Sequence, residues 1–513
     1  MDTTAPHDRR RTLLHAAFGV LATLVGLAAG HLVAALTVPA ASPVLAVGST
    51  VIDLTPTPLK EFAIRQFGTA DKLVLVGSVT IVVLLLAAIA GVIAARRETV
   101  GLLILVGLAG LAGVLAVLRP GSGPLDLLPA LATAAAAATA LWWLLRVSDQ
   151  GPDRSSRGVD GPSRRGVVLA TGGLAAAAVT MGALGRYVTS YRLGGTDIEL
   201  PTATDPASAF PQGLEEMYDG ISPLRTPNAD FYRVDTRLTV PAVDVDSWTL
   251  TIDGDVDQEV TLTFAELAAM TTVERDITLT CVSNEVGGPY VGGARWLGVP
   301  LKDILDKAGI DSTKADQIFS TDVDGMTIST PLDVALDGRD AIIAIGMNGE
   351  PLPREHGFPA RMVVPGLYGF VSACKWITRM TLTTYDAEQA YWTDRDWAID
   401  APIKISSRID TPKPLSTTKS GKVVIGGIAW AQHVGIDKVE VRIDGEAWKP
   451  ATLGPQVNDD YWRQWYFEWD ATPGQHFIAC RATNKDGDVQ TDVRARPFPE
   501  GSSGLQEISV SIG

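Results

Sequence analysis

Up to about residue 190 the chain consists of long apolar runs separated by short charged stretches. Beyond that point apolar and polar residues interleave at short period. Four runs precede residue 148: Leu13–Val38, Leu73–Ala95, Val100–Leu118 and Leu125–Val147. Each is near the roughly 20 residues that an α-helix needs to cross a bilayer. A fifth, Gly166–Leu184, is rich in Ala and Gly. The pattern predicts N-terminal all-α transmembrane helices, with a four-span region over 1–147 and a linker plus fifth span over 148–190. The linker Ser148–Arg165, full of Gly, Pro, Ser and Asp, reads as a flexible hinge.

The later pattern predicts short strands and helices. Trp248, Leu250 and Ile252 alternate with polar residues before Asp253-Gly254, a half-buried strand entering a turn. Thr263 with Glu266 three residues on marks a helix start, and Leu301–Leu305 reads as a short amphipathic helix ending near Gly309. After Pro402, Pro412 and Pro414 the texture becomes purely strand-like. Val439, Val441 and Ile443 alternate before Asp444-Gly445; Trp465, Phe467 and Trp469 alternate before Thr472-Pro473-Gly474; Phe477 to Ala482 is a further strand. Residues 191–400 therefore read as an α+β domain and 401–513 as a β-sandwich, immunoglobulin-like in strand pattern but without the Cys…Trp…Cys spacing of antibody domains.

Charge sharpens this division. The 513 residues carry a formal charge of −15, yet residues 1–190 hold a net +5 and residues 191–513 a net −20. An acidic soluble half argues against nucleic acid as a partner, because phosphate binding needs a concentrated basic face. The basic residues cluster at Arg9–Arg11, at Arg96–Arg97, and at Arg146, Arg154, Arg157, Arg164 and Arg165. With five spans these clusters fall on one side, so the positive-inside rule predicts a multi-pass protein of the cell membrane. Its N-terminus would be cytoplasmic and the segment after about residue 190 extracytoplasmic. Arg164-Arg165 before a weakly apolar run also reads as a twin-arginine export signal; an ordinary cytoplasmic charge cluster is the alternative. His15 and His31 stand about 24 Å apart on one predicted helix, too far to ligate one haem. No haem-attachment motif, zinc-ligand pattern or P-loop occurs.

Two segments offer chemistry. In Thr278–Gly288 a strand delivers Cys281 to a Gly-rich loop, where a thiolate can bind a soft metal, although a lone Cys is commonly a small core residue. In Asn348–Trp376, Arg361 and Lys375 flank a Gly-containing loop with a hydroxyl and free amides. That combination suits a phosphate, against the alternative of charges solvated around a turn.

Taken together, Thr226–Arg233, Cys281, the run Glu355-His356-Gly357-Phe358-Pro359-Ala360-Arg361 and the pair Lys375-Trp376 resemble the sulfite oxidase family of molybdopterin enzymes over about residues 225–400. The resemblance implies a sulfite-oxidase-like molybdopterin domain at 191–400 and a dimerisation-type C-terminal domain, hence a homodimer. It implies a molybdenum-molybdopterin cofactor with Cys281 as the protein ligand to molybdenum. Asn228, Tyr232 and Arg233 would line the pterin, with Thr321 contacting it from a strand at Ile318–Asp322. His356 and Arg361 would hold the pterin and its phosphate, and Ser372, Ala373, Cys374 and Lys375 would wrap that phosphate. Arg233 and Trp397 would join Cys281 in the catalytic pocket.

The departures bear on substrate. Where sulfite oxidases carry arginines after the ligand cysteine, this chain has Ser283-Asn284-Glu285-Val286, and Trp397 aligns with a pocket tyrosine. Fewer charges and a larger apolar wall favour a neutral, sulfoxide-type oxo-substrate over sulfite, with sulfite oxidation as the alternative. A non-catalytic anchored binding protein on the same fold is the alternative of another class. Electrons would pass to or from a separate partner, a quinone or a cytochrome.

Overall fold

The computed structural model of the chain describes residues 6–56, 59, 62, 66–67, 71–119, 122–149, 164–192 and 198–513. Most of the predicted linker (150–163) lies outside them, with Lys60, Arg65, Arg154 and Arg157. The chain forms two units: Met1–Gly194 with Thr236–Ala242, and Gly195–Asp235 with Val243–Gly513.

The first unit is helical: α1 (Pro6–Leu36), α2 (Pro43–Leu54), α3 (Asp71–Ala94), α4 (Glu98–Val117), α5 (Leu128–Asp149) and α6 (Arg164–Arg192). All but α2 contain a stretch long and apolar enough to cross a membrane, and these stretches coincide with the predicted runs. The α2 helix was not expected; at 12 residues it is about 18 Å long, too short to span. α1 packs against α3, α5 and α6. Small residues let the backbones approach: Gly19 lies against Ala87 and Gly91, and Gly26 and Gly30 against Thr133. Outward positions are apolar too, with Leu73, Leu85, Leu103 and Leu131 all exposed. The Nδ1 of His15 lies 2.7 Å from the Arg11 carbonyl, a bond within its own helix.

The second unit opens with an extended segment and then alternates strands with short helices. In chain order these are β1 (Thr249–Gly254), β2 (Val260–Thr263), α7 (Phe264–Ala268), β3 (Val273–Thr280), β4 (Val291–Pro300), α8 (Leu301–Ala308), β5 (Gln317–Asp322) and β6 (Thr327–Pro331). Next come α9 (Leu332–Ala335), β7 (Ile342–Met347), β8 (Glu350–Pro351), β9 (Arg361–Val363), α10 (Gly369–Ser372) and β10 (Ile377–Thr383). The predicted cap is present: Thr263 N–H donates to Glu266 Oε2 at 2.8 Å and Glu266 N–H returns to Thr263 Oγ1 at 3.3 Å. One sheet runs β2-β1-β10-β5-β6; the other runs β3-β4-β7-β8, with β9 also paired to β7. Alternate residues of β4 and β7 feed two different cores. Val299, Ile343 and Ile345 face one, and Ala294, Trp296, Ile342 and Ala344 face the other. A sheet covered on both faces explains why β7 reads as a continuous apolar run.

Residues 401–513 form β11 (Ser406–Thr411), β12 (Thr417–Thr418), β13 (Gly421–Trp430), β14 (Ile436–Ile443), β15 (Lys449–Pro450), β16 (Thr452–Leu453), β17 (Arg463–Ala471), β18 (Gly474–Asn484) and β19 (Gln506–Ile512). The sheets β11-β13-β17-β16 and β12-β19-β18-β14-β15 share one core, in which Ile425 and Trp465 meet Val439, Cys480 and Val510. Cys480, in the strand expected at Phe477 to Ala482, is buried there.

Candidate active site

Cys281 follows the last residue of β3 and is buried. Its N–H donates to Tyr290 O at 3.0 Å, and its sulfur accepts from Ser283 N–H at 3.4 Å. Burial raises the thiol pKa, opposed by the Ser283 hydrogen bonds and the Lys375 charge. The loop 369–375 abuts the same strand end, since a Cβ on Gly369 would stand 3.8 Å from Thr280 O and 4.0 Å from the Tyr232 hydroxyl.

Around this point the structure gathers the predicted cations. Arg361 is buried, with Nη1 donating to His356 O at 3.1 Å and Nη2 to Ala373 O at 3.5 Å. Its Nε is a buried donor with no partner. Burial lowers the guanidinium to about 10. Lys375 pairs with Arg361 across an isolated antiparallel bridge, and its Nζ donates to Asp235 Oδ2 at 2.7 Å and Glu355 O at 3.1 Å. Burial lowers the ammonium to about 8, against the pull of Asp235. His356 Nε2 lies 3.0 Å from Asn228 O, and burial with Arg361 nearby holds the ring at about 4, so it is neutral at pH 7. Gly357, at φ +115°, lets these groups converge: a Cβ there would meet the Cβ atoms of Arg361 at 3.0 Å and Lys375 at 3.2 Å.

Aromatic rings back the cluster. Arg361 lies over Trp296 at 5.2 Å, and Phe231 packs on Tyr232, Trp296 and His356. Tyr232 is partly buried, and desolvation reinforced by Cys281 raises its pKa, so the phenol keeps its proton.

Other predicted residues are engaged differently. The Asn228 amide donates to Met347 O and Glu350 Oε2, both at 3.2 Å, and accepts from Asn348 Nδ2 at 2.8 Å. The Ser372 hydroxyl lies 3.0 Å from Leu367 O and 3.1 Å from Tyr368 O, closing its own turn. Cys374 is buried and its carbonyl accepts from Met362 N–H at 2.9 Å. Thr321 sits in β5 opposite Arg379, its carbonyl accepting from Thr378 Oγ1 at 3.2 Å. Arg233 is a third exposed at its side chain and is paired with Asp235 at 2.8 Å.

Trp397 belongs to an aromatic group with Phe370 (5.6 Å), Trp392 (5.8 Å) and Phe498 (5.2 Å). Phe370 directly follows Gly369, which links this group to the strand end. The Trp397 Nε1 and Thr280 Oγ1 are buried without a hydrogen-bond partner. Glu285, which stands in the stretch where sulfite oxidases carry arginines, is exposed on the loop surface, where solvent and salt screen it.

Sequence reasoning assigned nothing to Asp235, whose one carboxylate is shared between Arg233 and Lys375. Tyr368 was also missed: burial, reinforced by the nearby Cys281 thiol, pushes it up to about 12, and its Oη accepts from Lys404 N–H at 3.5 Å. An acid two residues beyond Arg233 was the available signal for the first.

Residues 237–392 match the family described as oxidoreductase molybdopterin binding domain. Over this span the chain carries an oxidoreductase molybdopterin binding domain, and it is similar in sequence to sulfite oxidases. Mitochondrial sulfite oxidase of Macaca fascicularis is 31% identical over 318 residues, 53% of this chain and 58% of that one. The Homo sapiens protein is 30% identical over the same shares. Nitrate reductase [NADH] 1 of Oryza sativa is 27% identical over 52% of this chain and 34% of its own. The chain thus spans 58% of the length of the sulfite oxidases first matched. The crystal structure of the sulfane dehydrogenase SoxCD from Paracoccus pantotrophus superposes with a TM-score of 0.51 at 22% identity, covering 57% of this chain and 82% of that chain, and supports the fold.

The residues of the molybdopterin-binding domain fit such a cofactor. A buried guanidinium with an orphan Nε and an adjacent, largely buried ammonium suit a phosphate, and one buried thiol suits one metal bond. Among the described residues no group of three or more His, Cys, Asp and Glu could hold a metal ion by protein ligands alone. The remaining ligands would come from the cofactor.

Proposed function

We propose that the protein is a membrane-anchored molybdenum-molybdopterin oxidoreductase acting outside the cytoplasm on a neutral, sulfoxide-type oxo-substrate. The observation that carries this reading is the convergence of Cys281 with buried Arg361, Lys375 and neutral His356 inside the matched domain. Bound there, the cofactor would supply two-electron oxygen-atom transfer at molybdenum. Cys281 would be its protein ligand; Arg361, His356 and the 372–375 loop would hold the phosphate and pterin; Tyr232, Asn228, Arg233 and Thr321 would flank it.

The substrate assignment rests on the aromatic group. Trp397 offers an unpartnered indole N–H to an oxygen acceptor, and Phe370 and Phe498 offer apolar surface to its substituents. The cations that could instead receive an oxyanion are each paired: Arg233 with Asp235, Arg295 with Asp276, and Arg395 with Asp394. Sulfite oxidation is the second reading, favoured by the exposure of Glu285, which removes one repulsive charge from the pocket.

The five apolar helices support an anchor; the basic clusters support a cytoplasmic N-terminus and export of the second unit. We further read residues 401–513 as an immunoglobulin-like sandwich of the dimerisation type, and a quinone or cytochrome as electron partner. The test combines metal analysis with steady-state turnover of methyl sulfoxide, nitrate and sulfite, using artificial electron carriers. Near-stoichiometric molybdenum with preferred sulfoxide turnover is expected. Absence of molybdenum from cofactor-replete cells would overturn the enzyme reading, and efficient micromolar sulfite turnover the substrate.

A further inference from the structure

The strand and loop that present Cys281 are gripped on both sides by residues 401–513. Three positions before the cysteine, Thr278 is engaged at every polar group. Its N–H donates to Asp460 O at 3.0 Å, its Oγ1 accepts from Trp462 N–H at 2.9 Å, and its carbonyl accepts from Gln432 Nε2. Three positions after it, Asn284 closes the loop. Its N–H donates to Cys281 O at 3.0 Å and its Oδ1 accepts from Tyr290 N–H at 2.8 Å, while Tyr290 O takes the Cys281 N–H. The free carbonyl of Asn284 then accepts from Ser502 Oγ at 2.6 Å, a bond buried at both ends.

Two contacts extend the grip. Arg408 Nη1 donates to Gly288 O at 3.0 Å and is itself held by Asp410 at 2.7 Å and Ser222 at 2.8 Å. A Cβ on Gly287 would stand 2.5 Å from the Gln506 amide nitrogen. The Ser502 segment also touches the other walls: Gly501, at φ +91°, lies so close to the Tyr368 ring that a Cβ would stand 2.5 Å from it, and Phe498 packs on Trp397.

We infer that residues 401–513 are the second half of the mount for the Cys281 thiolate, with Ser502 as a positioning residue acting through Asn284. A ligand attached through a single side chain transmits any displacement of its backbone to the bound atom, and tolerances in such sites are about 0.5 Å. This rests on the reading of Cys281 as the metal ligand.

The test uses the full-length protein and the substitutions Ser502→Ala and Ser502→Thr, with Arg408→Gln as a second release of the loop. In cofactor-free protein, hydrogen exchange of amides 282–290 should quicken about tenfold in Ser502→Ala, as expected for loss of one buried hydrogen bond. Protection in β13, β17 and β18 should stay unchanged, which shows that the variant is folded. In loaded protein, molybdenum content should stay at the wild-type level, the electron paramagnetic resonance spectrum of the one-electron-reduced metal should shift and broaden, and kcat should fall with KM within about twofold. Ser502→Thr should restore both spectrum and kcat. Wild-type exchange and an unaltered spectrum in Ser502→Ala and Arg408→Gln would overturn the inference. A Cys281→Ser control that keeps the wild-type metal spectrum would instead overturn the ligand assignment, and the mount with it.

Discussion

The cationic group (Arg361 and Lys375, with neutral His356 beside them) and the aromatic group (Phe370, Trp392, Trp397, Phe498) adjoin the same strand end but are held by different forces. Directional bonds fix the first: two carbonyls on Arg361, a carboxylate and a carbonyl on Lys375, one carbonyl on His356. Ring edges hold the second, and the one polar atom of Trp397 is left over. A set of buried charges tied to backbone suits one fixed ligand, because each charge needs its counterpart to offset desolvation. A set of rings held by dispersion tolerates different shapes. The first should govern retention of the cofactor and the second choice of substrate.

The strongest break between the two groups comes at Cys281, the proposed metal ligand. Cys281→Ser should abolish turnover with the fold intact by circular dichroism; wild-type turnover would end the ligand assignment. Next is Arg361→Leu, which removes the buried cation and its unpartnered Nε donor. Loss of one charge-assisted bond to a phosphate, at roughly 1.5–3 kcal/mol, should lower cofactor affinity about 10- to 100-fold, seen as molybdenum-poor protein. The cationic group should also be the pH-sensitive one. Lys375, held near 8, loses its proton as pH rises from 7 to 9, so cofactor uptake by the cofactor-free protein should weaken about tenfold at pH 9. His356, near 4, should add no inflection between pH 6 and 7.

The aromatic group should respond differently. Trp397→Phe deletes the unpartnered N–H and keeps the ring, so sulfoxide kcat/KM should drop about tenfold while molybdenum content holds. A loss of metal in this variant would merge the two groups into one. The smallest effect belongs to Glu285→Gln. Because that carboxylate is exposed and screened, sulfite turnover should change by less than about twofold.

Legibility followed the range of the interaction. Local signals read through directly: the alternation at Trp248, Leu250 and Ile252 became β1, the Thr263–Glu266 pair became the cap of α7, and the apolar runs became five long helices. The site cations were visible because Arg361 and Lys375 stand near each other in the chain. Asp235 was not, since its bond to Lys375 joins residues 140 apart, and no pattern of period two or 3.6 encodes such a pair. The exposure of Glu285 was not legible for a related reason: its neighbour in sequence is Asn284, buried under Ser502, yet one further peptide turns the side chain to solvent.

β3 is also the last strand of its sheet, and an edge of unpaired amides invites other chains to add to it. Asp205 pairs with Val273 at one end, and Asp460 and Gln432 engage Thr278 at the other. A truncation stopping at residue 400 would leave an apolar strand bearing Ile277 and Leu279 open at that end. Such a fragment should self-associate during expression, so the tail that steadies the thiol doubles as a guard against aggregation.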